Sequence, residues 1–243
     1  MENTALKFPT EIIDLPSKGL VYPPENPLSE GKVEMKYMTA RSEDILTNQS
    51  YIEKGIVLDK LLEDLIVTKI NIKDLIVGDK NALLIAARVL GYGKEYKFTI
   101  KGEEHTVDLS ILENKEFDST PGNNEFSFTL PHSGNEITYK ILTGHDESLI
   151  DQEIKGLKKL NKNASPELST RLKYIITSVG GNRETKSIRE FVDNYLLARD
   201  SRSLREHIKQ NQPDVNLTTQ VELNSGEEDV EIPINLNFFW PDL

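Results

Sequence analysis

The hydrophobic period of this chain changes twice, and those two changes confine it to a mixed fold. Between about residues 43 and 90 apolar residues recur at helical spacing, between 96 and 142 they alternate, and from Glu147 the helical spacing returns. A period near 3.6 lines one face of a helix, whereas a period of two lines one face of a strand. The expectation is an α+β fold: a mainly helical body with an inserted small antiparallel β module, an extended N-terminal arm and a C-terminal β-hairpin. Helix should exceed strand.

The divisions follow from the same pattern. Residues 1–38 read as an extended arm and a short strand, 39–93 as a helical block, 94–142 as the inserted β module, 143–212 as a second helical block, and 213–243 as a C-terminal hairpin with an aromatic tail. The arm places five prolines between Pro9 and Pro27. Each fixes φ, removes a donor and pushes its predecessor toward extended backbone, so no regular helix is expected there. Its apolar residues, Ile12 to Tyr22, should lie on a surface. Val33, Met35 and Tyr37 then alternate with charges as a strand.

In the first helical block Thr39 or Ser42 can cap a helix that Gly55 ends, and Asp79 can cap another over Lys80–Leu90. Gly91-Tyr92-Gly93 closes it. Two hairpins are expected in the β module, 96–109 and 125–142. In the second block Thr143-Gly144 precedes a helix over 147–160. Ser165-Pro166 starts one over 168–179, Ser187 with Glu190 makes a capping box, and Ser201 can cap a last helix over 204–210. Residues 217–232 form a third hairpin.

The chain has 243 residues, enough for one large or two modest domains with a sizeable core. Net charge is -11, which argues against nucleic acid as a partner because there is no basic surplus to displace counterions from phosphates. There is no Cys, so disulfides and thiolate chemistry are excluded. Residues 1–20 carry Lys, Glu and Pro where a signal peptide needs an apolar core, and no apolar run reaches spanning length. A soluble protein of a cytoplasm, or of a particle assembled in one, is expected, with no membrane partner.

No phosphate loop, dinucleotide fingerprint or zinc-binding pair is present. His105, His132, His145 and His207 are scattered without metal-ligand spacing. The polar knuckles at 101–105 and 223–229 lie between strands. Carboxylates plus one His rarely close a structural metal site, so no metal or cofactor is expected there. His145-Asp146-Glu147 could serve a hydrolase, although acids in a first helical turn also suit the helix dipole. Lys155, Lys158, Lys159 and Lys162 form a short basic stripe, either a solvated helix face or a dock for an acidic partner.

The termini carry the chain's best anchors. Leu15, Leu20 and Tyr22 in the arm, and Phe238, Phe239 and Trp240 in the tail, are candidates to bind a partner. The tail is either a plug in the chain's own core or an anchor presented outward. The balance favours a structural tail and a partner-facing arm, since prolines preorganise an extended segment.

Residues 8–67 resemble the baseplate hub assembly proteins of T4-type contractile-tailed bacteriophages. The likeness lies in Phe8-Pro9, Asp14-Leu15-Pro16-Ser17-Lys18-Gly19-Leu20-Val21-Tyr22-Pro23, Lys36-Tyr37-Met38-Thr39-Ala40-Arg41 and Glu43-Asp44-Ile45-Leu46-Thr47. Gly91-Tyr92-Gly93, Leu142-Thr143-Gly144 and Phe238-Phe239-Trp240-Pro241 fit as well. Relatives in that family often carry Cys pairs in the two knuckles, and this chain departs there. The resemblance implies a structural component or assembly chaperone of a tail baseplate hub. It would bind other hub or tail proteins without enzymatic activity, in the host cytoplasm during assembly and in the virion tail.

Overall fold

A computed structural model of the chain describes residues 9–100, 102–161, 165–223 and 226–239. Strand β1 (Thr10–Asp14) pairs with β2 (Lys32–Lys36), and helices α1 (Ala40–Leu46), α2 (Gln49–Glu53), α3 (Val57–Leu65) and α4 (Val77–Tyr92) follow. Next come β3 (Glu95–Ile100), β4 (Glu103–Asp108), β5 (Phe126–Thr129) and β6 (Glu136–Tyr139). The chain continues through α5 (Gly144–Leu160), α6 (Glu167–Ile175), β7 (Ile176–Val179), α7 (Thr185–Asn194) and α8 (Ala198–Asn211), and then β8 (Thr218–Leu223) and β9 (Gly226–Glu231). The fold is α+β, 45% helical, and its strands form small antiparallel sheets.

Local chemistry explains many of the element ends. Asn48 accepts from the Tyr51 amide and divides the single helix expected up to Gly55 into α1 and α2. Gly93, at φ 85°, stops α4 where the Gly-Tyr-Gly run predicts. Thr143 and Asp146 form a capping box at the start of α5. Other starts differ from expectation. Helix α4 begins before Asp79 and α8 before Ser201, and both residues are buried. Ser187 bonds Glu184, not Glu190.

The expected β module does not hold together as one unit. Strands β3 and β4 form a separate hairpin, whereas β5–β6 recruits β7 from residues expected to finish a helix. The β-branched Ile176, Thr177 and Val179 favour extended backbone there. Gly180 and Gly181, both with positive φ, turn the chain after it.

The core divides along the same line. One cluster gathers α1–α4, β2, the β3–β4 hairpin and residues from Leu15 to Leu28. The other gathers β5–β7 with α5–α8. After α8 the chain returns to the first cluster, contributing Val215, Ile232, Phe238 and Phe239. The expected boundaries at 94 and 143 therefore fall inside packing units, whereas the one at 213 lies where the chain passes from the second cluster back to the first.

The tail is a plug. Beyond β9 the chain turns into a 3-10 helix, Leu236–Phe239, in which both Phe side chains are buried. Phe238 lies 4.9 Å from the Tyr96 ring and 5.6 Å, edge-on, from Phe239. Arg88 Nε donates to the Phe238 carbonyl, while its Nη1 and Nη2 donate to the carbonyls of Gly93 and Glu95. One guanidinium thus ties the tail to the end of α4 and the start of β3. Truncating a buried aromatic removes transfer energy and leaves a cavity. Phe238→Ala should therefore destabilise the chain by about 3–5 kcal/mol in urea unfolding, and a loss under about 1 kcal/mol would contradict the plug.

Candidate functional site

The Leu-Pro-Ser-Lys-Gly-Leu segment is folded into the body and does not lie over the surface as an arm. Tight turns run through it, with Lys18 donating to Leu15, Leu20 to Ser17 and Tyr22 to Gly19. Its anchor is the buried carboxylate of Asp79 in the first turn of α4. That carboxylate accepts from Ser17 N (2.9 Å), Ser17 Oγ (2.7 Å) and Tyr22 Oη (2.6 Å). The Tyr22 hydroxyl in turn accepts from the Ile76 amide at 3.1 Å. Burial pushes the Asp79 carboxyl and the Tyr22 phenol above their ordinary values, and the hydrogen bonds from Ser17 and Tyr22 oppose the shift at Asp79.

Glycine makes the turn possible. A Cβ on Gly19, at φ 79°, would stand 2.3 Å from the Ser29 carbonyl oxygen. Lys18 Nζ reaches the Phe117 carbonyl at 2.9 Å, and Gly122 N donates to the Leu20 carbonyl.

The candidate anchors therefore stand mainly in the interior. Leu15 is 1% exposed, Tyr22, Phe238 and Phe239 are buried, and Leu20 is half-buried against the same core. The arm residues act here as core, because Asp79 draws their backbone inward. Trp240 lies outside the described residues.

The three residues of the alternative hydrolase reading do not converge. His145 Nε2 lies 3.1 Å from Asp74 Oδ1 and 3.2 Å from Asn71 Nδ2. Asp146 caps α5 through Thr143 and takes Lys140 Nζ at 2.6 Å. Glu147 receives both terminal nitrogens of Arg171. Each carboxylate is held by its own partner.

The other singled-out polar residues are also dispersed. The His132 amide donates to Asp200 at 2.8 Å, and His207 stacks on Phe128 at 4.3 Å. His105 packs beside Phe98 with its Nε2 buried and without a hydrogen-bond partner. Lys158 pairs with Glu167, and Lys162 lies outside the described residues. Among the described residues no cluster of His, Asp and Glu suits a metal ion.

Two surface features are built differently. A polar cleft of about 490 Å³ lies against Phe117, Phe126, Tyr139, His207 and Glu125. Arg183 grips Glu125 with two hydrogen bonds of 2.8 and 2.7 Å, and Thr177 Oγ1 donates to it at 2.7 Å. Thr138 Oγ1 lies 2.6 Å from Thr177 Oγ1 and 2.7 Å from Ser178 Oγ.

The second feature is an apolar groove of about 290 Å³ between β1 and α4. One wall is the α4 face of Ala82, Ile85, Ala86 and Val89, residues 11–14 of β1 form another, and Leu109, Leu112 and Val215 add to the lining beside the polar Ser110 and Asn114. Ile12 (67% exposed) and Ile111 (68%) stand open to solvent, Ile12 in the groove lining and Ile111 in the Leu109–Leu112 turn. The sequence hid this groove because Thr10–Asp14 offers no clean alternation.

Compared with protein-family models, curated proteins and solved structures, the chain matches none. Among the described residues no helix is long and apolar enough to cross a membrane.

The Arg183 guanidinium, with Thr177, holds the Glu125 carboxyl down at about 2 against an ordinary 4.5. A depressed folded-state value means that the pair's stabilisation is present above about pH 4.5 and is lost as pH falls through about 2. The Glu125 carboxyl carbon should titrate near 2 by NMR and move back toward 4.5 in Arg183→Gln. A midpoint near 4.5 in the native chain would contradict the pairing.

Proposed function

We propose that this chain is a structural component or assembly chaperone of a contractile phage tail baseplate hub, acting by binding other hub or tail proteins. The likeness of residues 8–67 to baseplate hub assembly proteins supports the reading. The structural observation that carries the binding role is the open apolar groove beside β1, with Ile12 and Ile111 exposed near it. Contiguous apolar surface of this kind suits a protein contact. The acid and base side chains around His145 are engaged with separate partners, which suits a scaffold. On this reading the chain works in the host cytoplasm during assembly.

Particle proteomics and co-expression test the proposal. Mass spectrometry of purified virions should find the chain in baseplates if it is a component. If it is a chaperone, the chain should co-purify with hub proteins from infected cells and be absent from particles. Finding it neither in particles nor with any hub protein would overturn the reading.

A further inference from the structure

Among the described residues the outer edge of β1 pairs with no other strand. Leu15 N donates to Gly31 O, and Tyr37 N donates to Pro9 O. With Ile12 opposite Glu34, this parity turns the peptide groups of Pro9, Glu11, Ile13 and Leu15 toward β2. The N–H and C=O groups of Thr10, Ile12 and Asp14 therefore point the other way. No hydrogen bond from the described residues reaches them, although the far edge of β2 is covered by Ile66 and Val67. A bare edge is a template for another strand.

The groove lies beside that edge. Ala82 to Leu90 along α4 rises about 12 Å, which matches a strand of about four residues. Ala82 and Ala86 are small and let an added backbone approach, and the apolar lining accepts its inward side chains. Among the described residues the charged groups in the lining are Glu11 and Asp14, with no Lys, Arg or His beside them. Asp14 has an exposed partner in Lys32 at 3.4 Å, and Glu11 accepts from Tyr37 Oη. On a chain of net charge -11 this surface favours a cationic visitor. A second copy is disfavoured by like charge, since each copy carries net charge -11 and brings no basic residue in its own β1 strand.

We propose that the β1 edge and its groove bind an extended segment of another protein by strand addition, one that alternates aliphatic residues with Lys or Arg. Backbone bonds to Thr10, Ile12 and Asp14 hold the segment, aliphatic side chains enter the groove on the face that Glu11 and Ile13 share with Met35 and Val33, and the basic residues, on the other face, meet Asp14. The inference takes from the functional reading only that the chain binds proteins.

The test uses the full chain and a synthetic peptide of alternating Val and Lys, about ten residues long. Its controls are a Val/Glu peptide and a backbone N-methylated Val/Lys peptide. Titration by NMR should shift amides at 10–14 and 82–90, with the Val/Lys peptide binding at least about tenfold tighter than either control. Glu11→Lys combined with Asp14→Lys should reverse the charge preference, an outcome that misfolding would not produce. Ile12→Pro, which removes one outward donor, should weaken binding.

Equal binding of the N-methylated peptide, shifts elsewhere on the chain, or no saturable binding would overturn the proposal. So would dimerisation through β1, or binding seen only after removal of residues 1–8. Absent peptide binding with intact hub co-assembly would sink the groove assignment and leave the hub reading standing.

Discussion

The first core is organised by one buried carboxylate. Asp79 sits in the opening turn of α4, away from solvent, and is held by three hydrogen bonds from Ser17 and Tyr22. A carboxylate in such a place is tolerable only when its oxygens are satisfied. The N-terminal segment supplies the donors and so is drawn inward, carrying Leu15, Val21 and Tyr22 with it. The returning chain meets the same turn. A Cβ on Gly78 would stand 1.9 Å from the Pro213 carbonyl oxygen, and Asn81 donates to Asp214. Two stretches far apart in sequence therefore converge on the first turn of α4.

That convergence sets the geometry of the surface. Strand β1 runs directly into Leu15 and Ser17, so the bonds to Asp79 fix its C-terminal end against α4. Pairing with β2 fixes the rest of it, and β2 is itself braced by Ile66 and Val67. Two of the groove's walls, β1 and α4, are joined by the Ser17–Asp79 contact. Residues 15–22 thus shape the groove from beneath, while Leu15, Ser17, Val21 and Tyr22 stay out of solvent. Trapping the tail under Arg88 finishes the same body from the opposite end of the helix.

Much of the fold is legible in the sequence where the cause is local. The caps at Thr143 and Gly93, the hairpins at 95–108 and 126–139, and the α+β class all follow from residues within a few positions of each other. What escapes is set by distance. Ser17 and Asp79 are separated by 62 positions, and nothing near either one announces the other. The prolines that suggest an extended arm are equally at home in the tight turns seen here. Strand β7 follows a helical run without a break, and only its pairing with β6 decides its state. The groove is likewise invisible, because its walls come from four separate segments. His145, Asp146 and Glu147 are adjacent in sequence, yet their side chains engage three different partners.

The central claim is that the Asp79 contacts make residues 15–22 part of the core, while no described residue pairs with the outer edge of β1. Amide exchange resolved by residue measures both at once. The Ser17 amide, which donates to Asp79, should be protected to the level of Leu83 and Leu84 in α4, whereas the outward amide of Ile12 should exchange rapidly. Fast exchange at Ser17 with Leu83 and Leu84 still protected would contradict the account, because the segment would then be a loose arm after all.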